Sequence, residues 1–551
     1  MRLLPVALAT AVPTAVSAFA VVSPLPASQL QPEVSSIRAF AGRGGHAVYL
    51  HRGAVRPRQP GGSRKLSATQ QSSGESAGNA GTEIHVDIKG GIRSIPKEEW
   101  DSLLRPHDSP FLEHDWIYAM EESECATVDT GWQPQHLTVR RSKGSSALMA
   151  AVPLYVKYHS MGEFIFDQSW ADASVRAGLP YYPKLLVGIP FTPAAGARVL
   201  IDPALDAETR KNVCRTVALF LRKLAQDNNI SSVHVNFCTD EEVEAFTGAG
   251  FLHRKGLQYH WRNRDRNSEN NSNGAGASDP ATPTADSVIA ISAITPTETA
   301  LEELPGEDRG EQNAKKKYRD FDGYLGNFAS KRRIKIRRER RSVYEDAGVS
   351  VTAYQGDNIT DDMLETAFFI YKATIDKMLY GRLYLNSGFF KELAKRFKRN
   401  IVLILTERDG KVVAGTFNVV KAGRFYGRYW GAFETVKNLH FEACYYKAIE
   451  FCIENGLDVM EPGAGGGDFK FLRGFDPAVV NSCHFCTHPG LRGAVDSFLM
   501  EERQSIDEAE EYLMGKSALA DRTAANASGV DQKDANAEKA GARNRGDEAS
   551  A

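Results

Sequence analysis

The chain has little net charge, few cysteines and almost no long apolar run, and each shortage removes a class of protein. Its 551 residues carry a formal charge of −2, so any case for a polyanion partner has to rest on a local cluster. Seven cysteines at no framework spacing exclude a disulfide-stapled secreted domain and fit a reducing compartment. Beyond Leu3–Ala18 no stretch is long and apolar enough for a membrane span. What remains is an ordinary soluble composition, 42% hydrophobic and 25% charged, at a length that predicts two folded domains with tails.

An internal echo supports that count. Val213–Phe251 and Phe425–Phe475 share an order: an amphipathic helix, an Asn-rich or Asn-Gly corner, a short apolar strand, and a segment ending in Gly-Phe. The second copy is richer, adding the strand Tyr426–Gly431 and the Gly-rich run that follows Glu461 and Pro462. Before it, Asp409-Gly410 between β-branched residues predicts a hairpin inside a three-strand antiparallel meander. Upstream, Pro96 opens one helix and Ser109 is the expected cap of a second. The expected domains are 83–263 and 318–514, with a polar insertion at 264–317 that lacks aromatics and a charged tail at 515–551.

Arg2 and the apolar run to Ala18, ending in Val16, Ser17 and Ala18, have signal-peptide form. Residues 19–82 are rich in Ser, Ala, Arg, Gly and Pro and read as a disordered, transit-peptide-like segment. With Ser17–Ala20 at the junction, the whole resembles the bipartite presequences of complex plastids. Plastid import is therefore expected, with secretion or mitochondrial import as alternatives.

The motifs SPFLEHDW, LMAAVPLYVKYHSMGEFIFDQSWADAS, FASKRRIKIRRERR, GRYWGAF, LHFEACYYKAIEFCIENGL and EPGAGGGDFKFLRGF resemble the Fem-type branch of the GNAT superfamily, the proteins labelled peptidoglycan biosynthesis or recognition. The resemblance runs from about Ser109 to Glu502, insertion excluded. It implies an α/β fold of tandem GNAT-like domains, with mixed, largely antiparallel sheets flanked by helices. It also implies transfer of an acyl or aminoacyl group from CoA or tRNA to an amine. A non-catalytic peptide- or glycan-binding protein that keeps the same cleft is the alternative.

In such folds donor phosphates lie at the N-terminus of the helix after the fourth strand, where unpaired N–H groups and the helix dipole favour anions. Here that helix begins near Leu439–Glu442, and the usual phosphate signature is half present: Arg428 and Gly431 fit, but Phe433 stands where a small residue is expected. His440, Glu442 and Glu461 are the candidates for proton transfer, since an ammonium must lose a proton before attacking an acyl carbon. Glu442 as a cap of its own first turn and His440 as a loop residue are the bland readings. Tyr426 and Tyr429 are set on the face opposite Arg428 and Trp430, with Arg428 assigned to the cleft and Glu461 as its partner. Tyr429, Tyr445, Lys470 and Arg473 complete the donor set, the last two facing the Gly-rich loop.

His159, Glu163, Asp167, Trp170, Tyr182 and Lys184 crowd an irregular stretch and are the acceptor-binding candidates, with core packing as the competing reading. Eight Lys or Arg against one Glu between Lys331 and Arg341, among them Arg332, Arg333, Lys335, Arg337 and Arg338, make a polyanion-binding arm or a solvated helix face. Cys483, His484, Cys486 and His488 do not make a zinc site, because a strand sends the two cysteines to opposite faces. No tightly bound cofactor and no nucleophile–base pair stands out, which favours direct transfer.

Overall fold

The computed structural model describes residues 64–66, 84–142, 145, 147–266, 316–377, 381–465 and 467–519. The signal-like segment, most of the transit-like segment and insertion, and nearly all of the charged tail lie outside them. Within the transit-like segment, Arg64–Leu66 (β1) pairs antiparallel with Ile84–Lys89 (β2), so that stretch is not wholly unstructured.

The fold is α/β, with mixed and mostly antiparallel sheets flanked by helices. A five-stranded sheet contains β1, β2, His136–Arg140 (β4), Ala150–Val152 (β5) and Leu200–Ile201 (β8). An 11-stranded sheet takes in Trp132–Pro134 (β3), Leu154–Lys157 (β6), Lys184–Val187 (β7), Ser232–Cys238 (β9) and Leu252–Arg262 (β10). Its other strands are Ser350–Gln355 (β11), Ile401–Arg408 (β12), Lys411–Lys421 (β13), Arg424–Ala432 (β14), Val459–Glu461 (β15) and Asp476–Cys486 (β16). The meander β12–β13–β14 turns at Asp409-Gly410, both at positive φ as a tight hairpin requires.

The repeat is real, and its two copies are interlocked. In each, a strand leads through a helix to a parallel neighbour: β7 to β9 across Ala207–Asp227, and β14 to β15 across residues 439–454. Each then passes Gly-Phe into an 11-residue strand, β10 or β16. Those strands are exchanged, giving the order β15-β10-β16-β9. Aligning Phe251 with Phe475 makes Gly256 and Val480 equivalent, and these two pair with each other at the centre of the β10–β16 ladder. The ladder thus lies on an internal two-fold.

The described residues of the domains expected at 83–263 and 318–514 fall largely in one compact unit, up to Arg262 and from Ile334 to Ala518. Its core crosses the halves: Trp116 meets Phe389 and Phe397, and Phe111 meets Tyr426 edge-on at 5.0 Å. The remaining unit includes 263–266, 316–333 and Leu519. There Asp265 N–H donates to the Lys316 carbonyl at 2.7 Å, closing the two ends of the insertion, and Tyr324 packs edge-on against Tyr318 and Phe328. Among the described residues no helix is long and apolar enough to cross a membrane.

Candidate functional site

The parallel pairing of β14 with β15 ends at Tyr426–Glu461, while β14 continues along β13 to Ala432. Past that point the sheet opens on one side of β14. Gly427 lies against Pro462 so closely that a Cβ there would sit 3.2 Å from the Pro462 Cα. Arg428 is the extra residue of a β-bulge, since Phe417 pairs with Tyr429 and Asn418 with Gly427. The bulge, rather than plain alternation, puts Tyr426 and Tyr429 on one face, opposite Val419 and Phe417.

Glu461 closes this gap. It is 4% exposed. Arg424 Nη1 donates to its Oε1 at 2.8 Å, and its buried Oε2 has no hydrogen-bond partner. Burial pushes its pKa up to about 7, against the pull of Arg424, Arg428 and Arg198. The expected Arg428–Glu461 pair is thus replaced by Arg424–Glu461, because Arg424 stands at the start of the strand on the side facing β15. Arg428 instead donates through Nη2 to the Phe191 carbonyl at 2.6 Å and lies over the Phe111 and Tyr429 rings, its buried Nε unpartnered.

The first half supplies the facing wall. Arg198, fully buried, donates to the carbonyls of Ala194, Gly196, Ala197 and Asn236 and so shapes the loop that presents Phe191. Ser109 does not cap a helix: Pro110–Leu112 is a 3₁₀ turn and the helix starts at His114. Its buried hydroxyl lies beside Tyr426, near enough to bias that phenol yet outside hydrogen-bond geometry.

The residues around the following helix are held differently from expectation. Leu439–Phe441 runs into a π turn, Glu442–Tyr446, and then Lys447–Glu454. Glu442 makes no first-turn cap; its buried carboxylate accepts from Arg340 Nε at 3.1 Å and from the Tyr344 hydroxyl at 2.8 Å. His440 packs among Trp430, Phe441, Tyr445 and Phe469, and burial beside Arg473 and Lys470 lowers its pKa to about 4. Of the two basic residues after the Gly-rich loop, only Lys470 faces it, donating to the Gly463 carbonyl at 2.6 Å. Burial lowers the Lys470 pKa to about 8. Arg473, beyond the end of the helix Asp468–Phe471, turns away to Glu339 at 2.8 Å and lies over the Phe441 ring at 3.6 Å. Gly431 is occupied in packing: a Cβ there would be 1.8 Å from the Ile370 carbonyl of the helix Asp361–Ile375.

Most of the acceptor candidates come together, but inside the protein rather than on a loop surface. Lys184 Nζ donates to Ser160 Oγ and Glu163 Oε2, both at 2.8 Å, and to Asp167 Oδ2 at 2.5 Å. Tyr181 donates to the same Asp167 oxygen, and Tyr182 shares a hydrogen bond with Ser160. Trp170 lies edge-on to His484, whose Nδ1 is 2.8 Å from Nδ1 of His234. His159 stands apart on the Thr130 carbonyl. Cys483 and Cys486 belong to different apolar clusters on the two faces of β16.

Along the helix Ser330–Arg341, Ile336 and Glu339 are buried and Arg340 is half-buried on Glu442 and Glu450. Arg333 donates to the Phe328 carbonyl, Arg332 is half-buried, and Lys335, Arg337 and Arg338 point outward.

The residues that sequence reasoning missed are Arg424, Ser109 and Arg198. Arg424 was findable, since a parallel strand pair brings the start of one strand beside its neighbour. The other two depend on long-range packing. Aligning the copies sets Phe237 where the second half has Glu461; Phe237 is buried, and its carbonyl accepts from Gly196 N–H. Only the second copy therefore presents a carboxylate in its strand gap.

Three solved structures of similar outline can be named, each at low identity. A crystal structure of FemX is 10% identical over 73% of this chain and 98% of its own, with a TM-score of 0.41. A tandem GNAT protein from the clavulanic acid biosynthesis pathway is 11% identical, over 74% and 99%, at 0.36. L-PGS from Bacillus licheniformis is 8% identical, over 74% and 98%, at 0.37. No curated protein sequence matches significantly. The FemAB-like family model, described as peptidoglycan biosynthesis/recognition, matches residues 91–271 and 306–520, and the chain belongs to that family.

Proposed function

We propose that this protein transfers an acyl or aminoacyl group to an amine, with Glu461 as the base. The observation that carries the reading is the buried Glu461 carboxyl with one unpartnered oxygen and a pKa near 7, at the opening of a strand gap. Buried acids poised near neutrality suit general base work. FemAB-like membership supports it, because that family's description joins biosynthesis with recognition.

In the proposed step the amine nitrogen attacks the acyl carbon and an N–C bond forms. The C–S bond of a thioester, or the C–O bond of an aminoacyl ester, breaks. Glu461 takes the proton released by nitrogen and returns it to the leaving sulfur or oxygen. Lys470 and the Gly463 turn, with His440 and Tyr445, are assigned to the donor side, whether acyl-CoA or aminoacyl-tRNA. Glu442 is assigned to positioning, through Arg340.

The test is product detection by mass spectrometry on incubation with acyl-CoA or aminoacyl-tRNA pools and amine acceptors. Wild type should add the acyl mass to an amine, and Glu461→Gln should lose that product while still folding cooperatively. Ligand binding with no transferred mass would leave a non-catalytic peptide- or glycan-binding protein instead. The presequence supports plastid import, which a fluorescent fusion of residues 1–82 tests.

A further inference from the structure

The Glu461 gap has a hydrogen-bond donor left over. Three guanidiniums, those of Arg424, Arg428 and Arg198, act on the Glu461 carboxyl, and the buried Glu242 offsets Arg198. Arg198 is taken up by backbone carbonyls, and Arg424 spends one N–H on Glu461 Oε1. Arg428 is fixed by the Phe191 carbonyl and by the Phe111 and Tyr429 rings, yet its buried Nε has no acceptor in hydrogen-bond geometry, the neighbouring Tyr429 hydroxyl included. An unpaired buried donor of this kind is costly unless something fills it. A bare ammonium arriving at Glu461 would leave that donor unfilled. An amine with an anion beside it would not.

The unpartnered atoms have matching polarity. Glu461 Oε2 accepts, Arg428 Nε donates, and the Ser109 hydroxyl does either, with Glu461 and Ser109 more than nine-tenths buried. Arg428 lies two residues past Tyr426, the cross-strand neighbour of Glu461, and its guanidinium is near enough to act on the Glu461 carboxyl. One small ligand making a hydrogen bond at each end can therefore reach both groups. We infer that the acceptor is an amine bearing an anionic group on the same or the adjacent carbon, its nitrogen at Glu461 Oε2 and its anion at Arg428 Nε and Ser109 Oγ. This rests on the reading of Glu461 as the acceptor base. The anion is a carboxylate, as in a free α-amino acid, or the more highly charged phosphoryl group of an aminoalkylphosphonate.

The test is equilibrium binding to the full chain of L-alanine, L-alaninamide, propionate, aminomethylphosphonate and inorganic phosphate, with each variant's melting curve recorded. L-Alanine or aminomethylphosphonate should bind at least about tenfold more tightly than any probe with only one of the two groups, the scale of a lost charge-assisted hydrogen bond. Which of the two wins distinguishes carboxylate from phosphoryl. Arg428→Met should erase the preference over alaninamide, and Arg428→Lys should restore part of it. Equal binding of L-alanine and alaninamide, phosphate binding alone, or no binding by either zwitterion overturns the inference. Transfer to alaninamide as fast as to L-alanine would also overturn it while leaving the transferase reading intact. Zwitterion preference with no transferred mass would do the reverse.

Discussion

Tyr426 and Glu461 are the last residues at which β14 and β15 run side by side, and Arg424, two residues before Tyr426, reaches across to hold one Glu461 oxygen at 2.8 Å. That arrangement leaves a carboxyl fixed in orientation, dry and half ready to bind a proton at neutral pH. It is the relationship on which the proposed chemistry depends.

Transfer should therefore rise with pH and level off above an apparent pKa near 7, as Glu461 ionises. Glu461→Gln should lower kcat/KM by about 10²–10⁴-fold. Stability should move the opposite way. A carboxyl whose folded pKa is raised holds its proton more tightly when folded, so its contribution is present at low pH and is lost as pH climbs from the ordinary carboxyl range through 7. Above pH 8 the Gln variant should be the more stable, by up to about 3 kcal/mol. Urea melts at pH 5 and pH 8 check this; a pH-independent difference would mean that Glu461 does not titrate as described.

Much of this was legible in the sequence, and the omissions have physical causes. Asp409-Gly410 predicted its hairpin because two consecutive positive-φ residues leave few alternatives. The echo revealed the repeat, since each copy carries its own helix, strand and Gly-Phe. Strand exchange was invisible: β10 fits equally well beside β9 or β15 by local pattern, and the choice is made by pairing more than 200 residues apart, as at Leu252↔His484. For the site, Glu461 stands out beside Pro462, whereas its partner does not follow from the strand pattern, because the bulge at Arg428 shifts the alternation by one. The crowded stretch Glu163–Lys184 looked like a surface because it is polar. Its charges neutralise one another internally, which no linear pattern reports.

That internal cluster predicts a large mutational effect. Lys184→Met would leave Glu163 and Asp167 buried beside each other without their shared cation. The expected loss is about 3–5 kcal/mol in urea denaturation, and adding Glu163→Gln with Asp167→Asn should recover part of it. Burial alone would raise the Asp167 pKa, but Lys184 overrides it and holds it below the ordinary range. Its contribution is thus present above about pH 4 and is lost as acid is added. A Lys184→Met cost under about 1 kcal/mol would show that water already screens the group.

Gly431→Ala tests whether this glycine serves packing or a phosphate. With a Cβ aimed at the Ile370 carbonyl, backbone against backbone, the helix Asp361–Ile375 must shift. The expected destabilisation is about 3 kcal/mol or more, the upper range for overpacking. Donor affinity should fall only as far as folding does. An unchanged melting temperature with lost donor binding would return Gly431 to the donor site.

The donor itself is distinguished by the helix Ser330–Arg341. Glu339 and Arg340 face inward and anchor it through Arg473, Tyr446, Glu442 and Glu450, so the helix is held by its inner face while Lys335 and Arg338 point outward. A helix present only as a solvated face would tolerate their loss. If it contacts the phosphates of a tRNA donor, Lys335→Ala with Arg338→Ala should weaken aminoacyl-tRNA binding and reduce the slope of log K against log salt by about 1 for each contact removed. Acyl-CoA turnover should be untouched, because so small a donor offers few phosphates. The measurement is filter binding from 50 to 200 mM salt, with turnover on both donors run in parallel. An unchanged slope together with CoA-dependent turnover would assign the thioester as donor and leave the basic face to solvent.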